Sequence, residues 1–222
     1  MFNPKRIAKK HKKSNSTWWF ALFIVLFGLV AVGAVVLSNQ PAAVEPTATI
    51  PPNVQQYTSY PSMTIDKNKT YTATVTLAKG GVFDIQLYPD KAPLAVNNFV
   101  FLARQKYYNN TTFHRVLDGF MAQGGDPTGS GTGGPGYEFK NEESDLKFDK
   151  AGVVAMANAG KDTNGSQFFI TFGATAQLNG GYTIFGQVTS GMDVVNGITR
   201  RDPDKNPTFT GDVIQSIVIT EK

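Results

Sequence analysis

The chain has 222 residues, a formal net charge of +4 and no cysteine, which excludes disulfides, a thiol nucleophile, thiolate metal sites and a lipidated cysteine. Lys5, Arg6, Lys9, Lys10, Lys12 and Lys13 fall within the first seventeen residues with no acid among them, leaving fifteen basic against seventeen acidic residues in the rest. The positive excess therefore belongs to a tail, which argues against a nucleic-acid partner, whose basic footprint lies on the fold itself.

After the basic tail (1–17), Trp18–Leu37 is a run of twenty uncharged residues. That length spans about 30 Å of hydrocarbon as a helix. Two tryptophans at its start suit the membrane interface, and the cationic flank orients it with the N-terminus in the cytoplasm. The expectation is a single-pass signal anchor, in contact with the lipid bilayer through residues 18–37, that carries the rest of the chain outside the cytoplasm. The alternative is a cleaved signal peptide and a secreted product; Ala42-Ala43 leaves room for cleavage, but an apolar region of twenty residues exceeds the usual 7–15. Residues 38–65 contain Pro41, Pro46, Pro51, Pro52 and Pro61 among small polar residues, without apolar periodicity. They read as an extended, disordered spacer.

Residues 66–222 are long enough for one buried core. Tyr71–Leu77 and Val82–Tyr88 alternate around Lys79-Gly80-Gly81, the pattern of a β-hairpin. Pro93 opens a helix whose apolar side carries Leu94, Phe99, Leu102 and Ala103. Short strands and glycine-rich loops follow, with strands expected at 152–156, 167–172 and 213–220 and a second helix at 192–198. Many short strands with two isolated helices predict a mainly β protein, a barrel or sandwich with helical caps.

Two blocks carry chemistry. The first runs from Phe113-His114-Arg115-Val116 through Phe120-Met121-Ala122-Gln123 into Gly124-Gly125-Asp126. Read as a strand, it alternates with Phe113 and Arg115 on one face and His114 and Val116 on the other. An arginine that shares a face with phenylalanine must open into a cleft or find a partner. The second block is Met156-Ala157-Asn158-Ala159-Gly160, then Asn164-Gly165-Ser166-Gln167-Phe168-Phe169-Ile170, with Asn158 and Gln167 at the ends of short strands. The glycine run 129–136 lacks the Gly-Lys-Ser/Thr ending of a phosphate loop and does not lead from a strand into a helix. His11 and His114 are the only histidines, so no metal cluster or Ser-His-Asp hydrolase can be assembled, and His114 reads as structural.

Both blocks, with the shorter signals Asn97-Asn98-Phe99, Gly131-Thr132-Gly133-Gly134 and Phe185-Gly186, resemble the cyclophilin-type peptidyl-prolyl cis-trans isomerases across residues 68–220. The resemblance implies a closed eight-stranded antiparallel barrel capped by two helices, here behind an N-terminal transmembrane helix. It implies an isomerase of Xaa-Pro bonds acting on proline-containing polypeptides, without metal or cofactor. By motif position it makes Arg115 and Gln123 the catalytic residues. Phe120, Met121, Ala157, Asn158, Ala159, Gln167, Phe169 and Leu178 match the family's substrate-binding positions, and Tyr182 stands where histidine is frequent. Gln177 replaces a tryptophan found in many eukaryotic members and linked to cyclosporin, so binding of that drug is doubtful. Both replacements look like bacterial members. The rival reading is a membrane-tethered binding module that grips proline segments without turnover, which the presence of Arg115 disfavours.

Overall fold

The computed structural model describes residues 54–222. The basic tail, Trp18–Leu37 and most of the spacer lie outside the described residues. Among those described, no helix is long and apolar enough to cross a membrane.

Eight strands form one antiparallel sheet: β1 (Tyr71–Leu77), β2 (Val82–Leu87), β3 (Arg115–Leu117), β4 (Met121–Gly124), β5 (Val153–Met156), β6 (Phe168–Thr171), β7 (Ile184–Ser190) and β8 (Ile214–Glu221). Their order across the sheet is β3-β4-β6-β5-β7-β2-β1-β8. The first hairpin follows from alternation: Tyr71, Ala73, Val75 and Leu77 are buried, as are Phe83, Ile85 and Leu87 opposite them. Helix α1 (Pro93–Arg104) lays Val96, Phe99, Val100 and Leu102 into the core formed by the inner face of the sheet. The second helix, α2 (Met192–Asn196), stops two residues short of the expected 198 because Gly197 caps it.

The expected closed barrel is corrected to a half-barrel. Edge strands β3 and β8 share no ladder; the seam holds the isolated bridge Thr112↔Val213 and the bonds Asn110 N–H to Ile214 O (2.8 Å), Phe113 N–H to Asp212 O (2.9 Å) and Ile214 N–H to Thr111 O (2.8 Å). The free edge of β3 is satisfied instead by Arg201, which exchanges main-chain hydrogen bonds with Val116 in both directions. That seam also overturns the alternation expected at 113–116. Residues 111–114 follow the 212–214 segment before β3 begins, so Phe113 and Val116 both enter the core while Arg115 takes the opposite face. His114, expected to point outward, is only 2% exposed, and neither ring nitrogen has a hydrogen-bond partner. Burial lowers its pKa, against the opposing pull of the nearby Asp126 carboxylate.

Residues 54–65, read from sequence as the end of a disordered spacer, pack on the domain. Tyr60 donates to Leu94 O (2.7 Å), Thr64 N–H donates to Asn97 Oδ1 (2.8 Å), and Ile65 joins the core. Burial drives the Tyr60 hydroxyl up to about 12. The segment has neither helix nor strand, so its apolar groups follow no period in the sequence.

Helix α1 begins without a side-chain cap from Ala92. Glu142, from a distant loop, does that work: its two carboxylate oxygens accept from Leu94 N–H and Ala95 N–H, both at 2.9 Å. Leu94 and Ala95 N–H have no partner within the helix, and with the positive end of the helix dipole they favour a carboxylate there, although burial pushes its pKa up. Glu142→Ala is expected to lower stability by about 1–2 kcal/mol, as loss of a cap does. Urea unfolding of both proteins checks it, and equal midpoints with equal slopes would refute the capping role.

Candidate active site

The sheet register builds the site on the outer face. Arg115 on β3 lies opposite Gln123 on β4, Gln123 opposite Phe169 on β6, and Phe169 opposite Ala155 on β5. One row of paired residues thus runs from the guanidinium to an aromatic floor. The next row brings Leu117 opposite Met121 and Met121 opposite Thr171. Strands β5 and β6 are buried on both faces because a second apolar cluster covers their outside. It consists of Met121, Phe148, Val153, Ala155, Phe169 and Ile184, with Phe120, Ala157, Leu178 and Tyr182 partly buried against it. Phe148 stacks on Phe169 (centroids 5.8 Å apart), and Tyr182 meets Phe169 edge-on at 5.3 Å. This is a second apolar cluster with packed aromatic rings, apart from the main core.

Phe120 is placed by a tight turn, Phe120 N–H to Leu117 O (3.1 Å), in which Gly119 takes φ +65°. Leu178 ends a short 3-10 turn (Ala176–Leu178), and Gln177, one residue earlier, is exposed to solvent. Arg115 is partly exposed. Its Nη1 lies 4.0 Å from Met121 Sδ, and no carboxylate is within ion-pair distance of it among the described residues. Among the described residues the charge is therefore uncommitted, beside the apolar cluster.

Beside it lies a polar cavity of about 760 Å³, lined in part by Gln123, Ala157, Asn158, Ala159 and Gln167. Gln167 Nε2 donates to the carbonyls of Gly131 (3.0 Å) and Gly133 (2.9 Å), which turns its Oε1 toward Gln123. Gln123 Nε2 donates to that oxygen at 2.9 Å, so Gln123 Oε1 faces elsewhere and is open to a donor. Arg115 and Gln123 form no hydrogen bond with each other. Ala157 N–H is taken by Gln167 O (2.9 Å), whereas the main chain of Asn158 has no hydrogen bond among the described residues. The Asn158 side chain is tied down, donating to Gly181 O and accepting from Gly160 N–H, both at 3.2 Å. Asn98, buried in α1, holds the approach to Gln167 by donating to Gly165 O (2.9 Å).

Of the eleven expected residues, Gln123, Ala157, Asn158, Ala159 and Gln167 thus line the cavity, Phe120, Met121, Phe169, Leu178 and Tyr182 belong to the apolar cluster, and Arg115 stands next to Met121. Phe148 and Ile184 of the apolar wall and Gln56 of the polar one were not foreseen. Phe148 sits in an irregular loop held by its N–H bond to Asn179 Oδ1 (2.9 Å), where no local pattern marks it.

The family model described as "Cyclophilin type peptidyl-prolyl cis-trans isomerase/CLD" matches residues 72–220. The chain is 45% identical over 161 residues to the human "Peptidyl-prolyl cis-trans isomerase-like 1", covering 71% of this chain and 85% of that protein. It is 45% identical over 141 residues to "Peptidyl-prolyl cis-trans isomerase B" of Bacillus subtilis (strain 168), covering 63% of this chain and 99% of the relative. A crystal structure of a Cryptosporidium parvum cyclophilin-type isomerase superposes with a TM-score of 0.62 at 36% identity, covering 69% of this chain and 99% of that one. The same protein determined in the presence of the dipeptide Ala-Pro gives a TM-score of 0.60 at 35% identity. With that match extending over most of the region that folds as the half-barrel, the chain belongs to the cyclophilin-type peptidyl-prolyl cis-trans isomerases.

Proposed function

We propose that the protein turns Xaa-Pro bonds with Arg115 as the catalytic residue, and that it does so on exported polypeptides outside the cytoplasm. The single observation that carries the mechanism is a guanidinium, without an ion pair among the described residues, beside Met121 of the second apolar cluster. The planar amide resists rotation by roughly 18–20 kcal/mol, and uncatalysed exchange takes tens to hundreds of seconds. At the twisted state resonance is lost and the prolyl nitrogen regains a lone pair. A donor aimed at that nitrogen stabilises the twisted state more than either planar isomer, which is what lowers the barrier. Arg115 is permanently charged and has no competing carboxylate among the described residues. Phe120, Met121, Phe169 and Leu178 hold the proline ring, with Tyr182 bracing Phe169, so one side of the bond stays fixed while the other turns. The free main chain of Asn158 pairs with the residue before the proline, and Gln123 Oε1 accepts from the substrate backbone. The relative crystallised with Ala-Pro supports a proline peptide as the occupant. An acceleration of about 10⁵-fold requires about 7 kcal/mol, within the range of one charged hydrogen bond plus positioning.

The location is supported by the six cations ahead of Trp18 and the uncharged run that follows. Protease added to intact cells, or to spheroplasts where there is an outer membrane, is expected to digest or release the isomerase domain. A domain protected until the membrane is lysed would reverse the orientation. Because Gln177 presents an exposed amide beside Leu178, with no indole, weak binding of cyclosporin is part of the same reading.

A further inference from the structure

The polar cavity has a wall from outside the span shared with the family. Gln56 lines it yet precedes residues 72–220. It is held in place: Gln56 Nε2 donates to Gly134 O (2.8 Å) and Gln55 O (3.2 Å), and Tyr57 N–H donates to Pro135 O (2.8 Å). The Tyr57 ring packs edge-on against Phe101 at 5.1 Å. Gly136 makes this contact possible, since a Cβ there would come within 2.6 Å of Tyr57 O. With its amide N–H groups facing carbonyls, Gln56 Oε1 has no donor among the described residues. Glu138 on the same wall is exposed and has no ion pair among them. No lysine, arginine or histidine lines the cavity.

We propose that this cavity takes a cationic side chain, lysine or arginine, on the N-terminal side of the substrate proline, and that Gln56 and Glu138 determine that preference. The side is set by Asn158, whose free main chain lines the same cavity and pairs with the residue before the proline. The inference rests on the assignment of the adjoining apolar pocket to the proline ring. An ammonium or guanidinium in the cavity gains the Glu138 carboxylate and the Gln56 amide oxygen together. The Gln56 amide is held in place before the substrate arrives, which lowers the ordering cost of that half of the contact. A glutamate at the same place would meet Glu138 as a like charge and find no cation.

The test uses the full chain in detergent and alanine-rich proline peptides carrying lysine or glutamate one, two or three positions before the proline. At one of these positions kcat/KM is expected to favour lysine over glutamate by about three- to tenfold, the range of a partly shielded charge contact. The ratio should shrink in about 0.5 M salt, where the screening length is only a few ångströms. Glu138→Gln should bring the ratio close to one, Glu138→Lys should invert it, and Gln56→Ala should lower it part of the way. A ratio near one at all three positions, or one unchanged in Glu138→Lys, overturns the inference. Turnover of the all-alanine peptide without discrimination overturns this inference alone; no turnover of that peptide overturns the proline assignment as well.

Discussion

Arg115→Ala is expected to lower kcat/KM for proline-peptide isomerisation at least ~100-fold, equal to about 2.7 kcal/mol of transition-state stabilisation. The thermal midpoint should stay within about 4 °C, the shift that a change of less than 1 kcal/mol produces in a domain of this size. Both halves follow from the side chain's surroundings. It is partly exposed, makes no ion pair among the described residues, and its recorded contact is a 4.0 Å approach to a thioether, so the fold loses little. Val116, the next residue, carries the packing of β3 into the core. What disappears is a positive charge that has no ion pair among the described residues and lies beside the second apolar cluster. Arg115→Lys should fall between the two, since an ammonium keeps the charge but lacks the planar array of donors. A purified alanine variant within threefold of the parent would mean that another group serves the twisted amide.

Local pattern carried the parts of the fold where one strand face meets solvent. β1 and β2 alternate because Thr72, Thr74 and Thr76 look outward while Tyr71, Ala73 and Val75 look inward, and that contrast is visible in sequence. At 113–116 the same rule misled. β3 has only three residues, and the chain before it is governed by a segment about a hundred residues away. The open seam was hidden for the same reason, because it depends on Arg201 occupying the edge of β3. The site's identity came from motif order, whereas its geometry comes from register: nothing local says that Arg115, Gln123 and Phe169 stand side by side. Gln56 left no sequence signal, since its position is fixed by two carbonyls in a loop far along the chain.

Asp126→Asn is expected to lower stability by about 2–4 kcal/mol at neutral pH and to reduce kcat/KM about tenfold. Asp126 is fully buried and has no cationic partner among the described residues. Its carboxylate is held by donors instead: Oδ1 accepts from Thr128 N–H (2.7 Å) and Thr128 Oγ1 (2.8 Å), and Oδ2 accepts from the N–H groups of Gly131 and Gly133. Burial alone would raise the pKa, and these hydrogen bonds outweigh it, leaving the group below the ordinary carboxylate value. An asparagine in either orientation points an NH2 group at one of those donor pairs, so two donors face each other without an acceptor. The loop they hold contains the carbonyls of Gly131 and Gly133 that orient Gln167, and Gln167 in turn orients Gln123. Loosening the loop therefore reaches the substrate amide through two hydrogen-bonded side chains. The pH dependence has a definite sign. A depressed carboxylate pKa contributes stability that is present above the unfolded value of about 3.9 and is lost as pH falls through the folded value. The gap in urea midpoint between parent and variant should thus be full at pH 7 and narrow steadily below about pH 4. A gap of equal size at both ends of that range would show that the loop depends on the shape of the side chain and not on its charge.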